Sequence, residues 1–216
     1  MTRTERVHLT LMLVLTFTTG INDAVGYLGL DKVFTGNMTG NVVVLGMALA
    51  GGTGLPVLGP ALALAGFGAG AAAGGRALSR DPRPWGPRTT ALFALVGLVM
   101  LALATVLATA SRTHTVDVVI TTIAAIAMGL QAATARHVAV KEVTTVVVTS
   151  AITGLAADSW FGNGTGGPWR RRAGAVALIL LGALAGAAML HWHLAAPMFV
   201  AGALILATTA AGARAA

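Results

Sequence analysis

The chain has 216 residues, 56% of them hydrophobic and only 10% charged, with a mean hydropathy of +0.82. A soluble domain of this size needs a charged surface that so few ionic residues cannot supply, and the absence of cysteine excludes disulfides, thiol catalysis and cysteine-based metal sites. The net charge of +7 would point to nucleic acid in a soluble protein; here the arginines sit between apolar runs, where they set membrane orientation, and no nucleic-acid partner is expected.

Taken in order, eight apolar segments cover roughly 8–29, 34–52, 57–78, 89–110, 116–136, 143–161, 172–191 and 195–212. A spanning helix needs about 20 predominantly apolar residues, and six of the eight meet this. The first follows a basic start, lacks a persuasive cleavage site and reads as a retained signal anchor. The second opens on "FTGNMTGN" and keeps only about a dozen clean apolar residues, short of a span. In the third, Gly66, Gly70 and Gly74 form small-xxx-small steps that read as close helix packing, as do Gly182 and Gly186 in the seventh. "SRDPRPWGPR" is a connector. The sixth segment is studded with Thr144, Thr145, Thr149, Ser150 and Thr153. "HWH" at His191 to His193 does not put two imidazoles on one helix face, so Trp192 reads as an interfacial residue in a turn and no metal site is expected.

Charge decides which segments cross. If the second and sixth enter and return on the same side, the clusters at Arg3 and Arg6, Arg76 to Arg88, Arg136 and Lys141, Arg170 to Arg172, and Arg214 all fall in the cytoplasm. Arg112 is then the main basic residue outside, with Lys32 neutralised by Asp31. The positive-inside rule therefore favours six full crossings plus two interrupted or re-entrant segments, with both termini inside; eight crossings is the alternative. The chain reads as one all-α polytopic membrane domain over 1–216.

An internal repeat fits this count. "GIN" at Gly20 is echoed by "GLQ" at Gly129, 109 residues on, and Thr35 and Thr39 by Thr145 and Thr149, 110 residues on. Halves of about 8–110 and 116–212 each hold three crossings and one interrupted segment, which makes them inverted in the membrane. Inverted repeats with discontinuous helices meeting near the midplane are a common transporter and channel architecture.

The stretch from Gly20 to Asn41 holds the most polar chemistry. Gly36 and Gly40 weaken a helix, and Asn37 and Asn41 compete for its backbone hydrogen bonds. Irregular backbone at membrane depth must be buried in protein or line a watery cavity. A helix restarting near Thr39 would point free N–H groups and a positive dipole end into such a site, which suits a small polar or anionic solute. Asp23 near the bilayer centre is expected to bind a cation or relay a proton, with Asn22 orienting it; the bland alternative is a hydrated or capping carboxylate at the outer interface. Its repeat counterpart is Ala132. Gln131, the counterpart of Asn22, faces the bundle interior as a solute contact or an interhelical hydrogen bond. Arg136, His137, Lys141 and Glu142 read as a cytoplasmic interface, and Asp158 awaits a basic partner.

On Gly20, Asp23, Phe34, Asn37, Thr39, Gly40 and Asn41, with a later Gly129 and Gln131, the sequence resembles the YoaK-like family of bacterial integral membrane proteins, a domain of unknown function. The resemblance covers nearly the whole chain. It implies about six spans and a membrane location, and it implies no substrate. Ala132 stands where the family often has Asn, and "TTVVVTSAITG" loosens its second element.

The expected function is a small-solute transporter or channel of the bacterial inner membrane. Asn22, Asp23, Thr35, Gly36, Asn37, Thr39, Gly40, Asn41, Gln131, Thr145 and Thr149 line its solute or ion pathway. Its partners are the lipid bilayer and a small polar or ionic solute; small apolar faces are compatible with a homodimer. The rival is a membrane scaffold or assembly subunit in which the motif is structural glue. No enzyme is expected, because no Walker, Rossmann, HExxH or nucleophile-elbow sequence appears, and no cofactor is implied.

Overall fold

The structure, a computed structural model, describes residues 2–138, 148–165 and 167–215. Its first helix, α1 (Arg3–Ala24), opens on a capping box. The Thr2 hydroxyl accepts from the Glu5 N–H at 3.2 Å and the Glu5 carboxylate accepts from the Thr2 N–H at 2.9 Å. α1 does not stop at a C-cap but widens into a π-helical turn over Val25–Gly29. Among the described residues seven further helices follow: α2 (Met38–Leu49), α3 (Leu58–Leu78), α4 (Pro87–Thr109), α5 (His114–Val138), α6 (Val148–Ala157), α7 (Trp169–Leu190) and α8 (Ala196–Ala215). Pro87 opens α4 at a position whose N–H needs no partner. Among the described residues there is no strand.

Among the described residues, six helices are long and apolar enough to cross a bilayer, α1 counting through to Gly29. The protein is therefore a multi-pass helical membrane protein, with the six crossings and two short segments expected from its hydropathy. The 12 residues of α2 rise only about 18 Å, against about 30 Å of hydrocarbon. Of the expected 143–161 segment, residues up to 147, and with them Lys141, Glu142, Thr144 and Thr145, lie outside the described residues; α6 covers ten of the rest.

Contacts between chain segments fix the two ends of the bundle. Trp85, in the α3–α4 connection, stacks on His8 near the start of α1 at 5.6 Å and packs against Gly212 near the end of α8. His137, at the end of α5, pairs with the Arg83 carbonyl at 2.9 Å. The arginine clusters thus share one end. At the other, Arg112 donates to the Gly29 carbonyl at 2.8 Å and to Asp117 at 2.7 Å. Lys32 turns to the Gly54 carbonyl at 3.0 Å while Asp31 faces His114, so these neighbours each look to a different element.

Glycines set how closely the helices cross. In α1 and α7, a Cβ at Gly20 would collide with the Ile179 carbonyl, and one at Gly182 with the Phe17 carbonyl. In α3 and α5, a Cβ at Gly129 would collide with the Phe67 carbonyl, and one at Gly70 with the Ile126 carbonyl. α4 and α8 meet at Gly97 and Gly202, where an added Cβ would come 3.2 and 3.1 Å from the other's carbonyl oxygen. With no hydrophobic drive between helices in lipid, such backbone approach is what packs them. Met12, Leu15, Phe93, Met100, Met128 and Met198 fill the centre of the bundle.

Asp158 finds its partner in Arg172 at 2.5 Å, with the Asn163 amide donating at 3.2 Å. The Arg172 hydrogen bond, then that of Asn163, holds the Asp158 carboxyl below the usual carboxylate range. A folded value below the unfolded one stabilises the fold at neutral pH and stops doing so as pH falls through the folded value. In thermal unfolding in detergent, the gap between wild type and Asp158→Asn is expected to be widest near neutrality and to close below about pH 4.

Candidate functional site

Asp23 sits in the last turn of α1, just before the π-turn, and is 8% exposed. Its Oδ1 accepts from the Gly36 N–H at 2.7 Å, the Thr35 hydroxyl at 3.3 Å and the Asn37 N–H at 3.4 Å. These donors belong to the irregular backbone that leads into α2. The carboxylate of one helix therefore occupies the positive N-terminal end of another. Gly36 leaves room there, because a Cβ would come 2.9 Å from the Thr19 methyl and one of the two would have to shift.

The loop is built by its own asparagines. Asn37 caps α2, accepting from the Gly40 N–H at 3.1 Å. Asn41 reaches back to Phe34, accepting from its N–H at 2.8 Å and donating to its carbonyl at 2.7 Å, as a neighbouring strand would. The Val33 N–H donates to Gly26 in the π-turn at 3.3 Å, and the Tyr27 and Phe34 rings stack at 4.7 Å. Asn41→Ala leaves two Phe34 backbone groups without these partners. A loss of about 1–3 kcal/mol is expected in denaturant unfolding of the detergent-solubilised protein.

Beside this loop lies a cavity of about 730 Å³. Thr19, Asp23, Gly36, Asn37, Thr39 and Gly40 form one wall; Val148 and Thr149 of α6, with Val176, Ile179, Leu180 and Ala183 of α7, form the other. Both short helices thus border one space between α1 and α7.

The expected site residues divide around it. Asp23, Gly36, Asn37, Thr39, Gly40 and Thr149 line the cavity; Thr145 lies outside the described residues. Thr35 and Asn41 are buried behind the lining, holding the loop. Asn22 does not orient Asp23. Neighbouring helical residues point about 100° apart, so Asn22 faces α5, its amide 3.6 Å from the Met128 sulfur. Gln131 likewise faces α1 and donates to Thr19 at 3.4 Å. Both side chains are fully buried, and Asn22 Oδ1 and Gln131 Oε1 have no partner among the described residues. The restart of the helix at Met38 brings no free amides to the cavity from Gly36 and Asn37, since Asp23 takes them. Tyr27 and the α7 wall were missed, because an aliphatic helix face facing a cavity reads like one facing lipid.

A family model matches residues 11–211, nearly the full length of the chain. The chain belongs to the family described as "Protein of unknown function (DUF1275)". It is also similar to the UPF0700 transmembrane protein YoaK of Bacillus subtilis (strain 168), at 29% identity over 150 residues. That match covers 69% of this chain and 66% of YoaK, just under two thirds of the relative. No solved structure gives a significant match. The DUF1275 match takes in the Asp23 loop, α2 and the α7 wall.

Proposed function

We propose that this protein is a small-solute transporter or channel of the bacterial cytoplasmic membrane, and not an enzyme, with the cavity between α1 and α7 as its solute site. The observation that carries the reading is a buried carboxylate opening on a cavity of about 730 Å³ that two short helices border. Small-molecule sites run about 300–1,000 Å³, and an acid at membrane depth is costly enough to mark a pathway by default. The basic end, with the start of α1 and the end of α8, faces the cytoplasm by the positive-inside rule.

Matching glycine crossings in the two halves fit an inverted repeat, which supports this reading. Gly20 meets Ile179 as Gly129 meets Phe67, and Gly182 meets Phe17 as Gly70 meets Ile126. α1 with α7 thus corresponds to α5 with α3. α4 and α8 exchange places at Gly97 and Gly202, next to the axis that would relate the halves. Reconstituted into proteoliposomes, the wild type is expected to move members of a broad panel of small solutes and Asp23→Asn to move none. A wild type that moves nothing removes the reading.

A scaffold or assembly subunit is the second reading, favoured by Thr35, Asn37 and Asn41 spending hydrogen bonds inside their own loop. Co-purification of a stoichiometric partner, retained by Asp23→Ala, would support it.

A further inference from the structure

Among the described residues lining the cavity, Asp23 is the only carboxylic acid, and no arginine, lysine or histidine is present. Asp23 Oδ1 is committed to Gly36, Thr35 and Asn37, and none of these three bonds reaches Oδ2. A carboxylate this buried is balanced either by a proton or by a cation beside it, and its second oxygen is the place for either. The Gly36 and Asn37 amides, which could have received an anion, are committed to Oδ1.

The remaining surface says what kind of cation. Tyr27 and Phe34 bring a stacked pair of rings to the same wall, and an ammonium over an aromatic face is attracted by its quadrupole. Thr39 adds a side-chain hydroxyl oxygen that can accept an N–H donor. Opposite them, Val176, Ile179 and Leu180 offer only aliphatic contact. A bare metal ion would want several converging oxygens, but the groups around Asp23 Oδ1 are donors. A volume of about 730 Å³ takes a small organic molecule.

We propose that the cavity binds a small organic cation, its ammonium head against Asp23 Oδ2 and the Tyr27–Phe34 pair and its apolar body along α7. This rests on the cavity being the solute site, and it replaces the small polar or anionic solute expected from the loop alone. The same head is carried by a free amine and by phosphatidylethanolamine. The wall residues Val43 and Leu180 are 54% and 64% exposed, so lipid can approach.

The test is calorimetric titration of the full chain in nanodiscs of phosphatidylglycerol alone, with n-butylammonium, n-butanol and butyrate as probes. Saturable binding of n-butylammonium is expected, with Asp23→Asn weakening it at least about tenfold and Phe34→Leu about threefold. Leu180→Trp, which narrows the cavity without touching Asp23, should weaken n-butylammonium more than methylammonium and so serves if Asp23→Asn misfolds. Discs containing phosphatidylethanolamine that abolish amine binding assign the ammonium to lipid and support the proposal. Butyrate or butanol binding as tightly as the amine, or no amine binding, overturns it. Amine binding without flux leaves this proposal standing while the transport reading falls. Flux of neutral or anionic solutes that ammonium does not inhibit does the reverse.

Discussion

Gly129→Ala is expected to cost about 3 kcal/mol or more, measured as thermal or denaturant unfolding of the detergent-solubilised protein. The added methyl would drive into the Phe67 carbonyl and press on the Ala71 amide, which are backbone groups and cannot rotate away. Either α3 withdraws from α5, opening a gap along the whole interface, or the backbone distorts. Gly20→Ala should behave alike, because its Cβ would meet the Ile179 carbonyl and the Ala183 amide. Gly68→Ala is the control. It lies on α3 two residues from Gly66 and Gly70 and so on the other side of the helix, with nothing within 4 Å of an added Cβ, and is expected to be neutral or stabilising by up to about 1 kcal/mol.

Asp23 is expected to give the largest functional effect, and two substitutions separate its two roles. In Asp23→Asn a carbonyl oxygen remains to accept the Gly36 N–H, so α2 stays docked and unfolding stability should shift by no more than about 1–2 kcal/mol. What is lost is the charge, and solute flux should fall to background. Asp23→Ala leaves the Gly36 and Asn37 amides and the Thr35 hydroxyl without their shared acceptor. Hydrogen bonds to a charged group contribute about 1.5–3 kcal/mol, and that loss should appear as lowered stability together with loss of flux. Equal flux in wild type and Asp23→Asn would confine the carboxylate to a capping role.

How much of this was legible depends on the residue. Gly36, Asn37, Gly40 and Asn41 announce a broken helix through propensity alone, and the restart at Met38 lies one residue from the expected Thr39. Six long spans and two short segments followed from hydropathy and arginine placement. Pairing was not legible. Asn41 belongs to Phe34, Asn22 to α5 and Asp158 to Arg172, and each choice is made by helix rotation and long-range packing that one-dimensional spacing does not contain. The glycine steps were legible as close crossings but not as to partner: Gly70 and Gly74 meet α5, and Gly182 meets α1. The α7 wall gave no signal, since Ile179 and Leu180 look the same toward water, solute or lipid.

Thr39 and Thr149, from two short helices, line one cavity with Asp23, and a solute pathway there has to be wet. The chain has no native cysteine, so single cysteines report without background. Thr39→Cys and Thr149→Cys are expected to react with a small, charged, water-soluble thiol reagent in intact membranes, and Leu181→Cys, exposed on α7 but outside the cavity lining, is expected to stay unlabelled. Labelling of Thr39→Cys and Thr149→Cys no faster than that of Leu181→Cys would mean that both positions face lipid and would contradict the account.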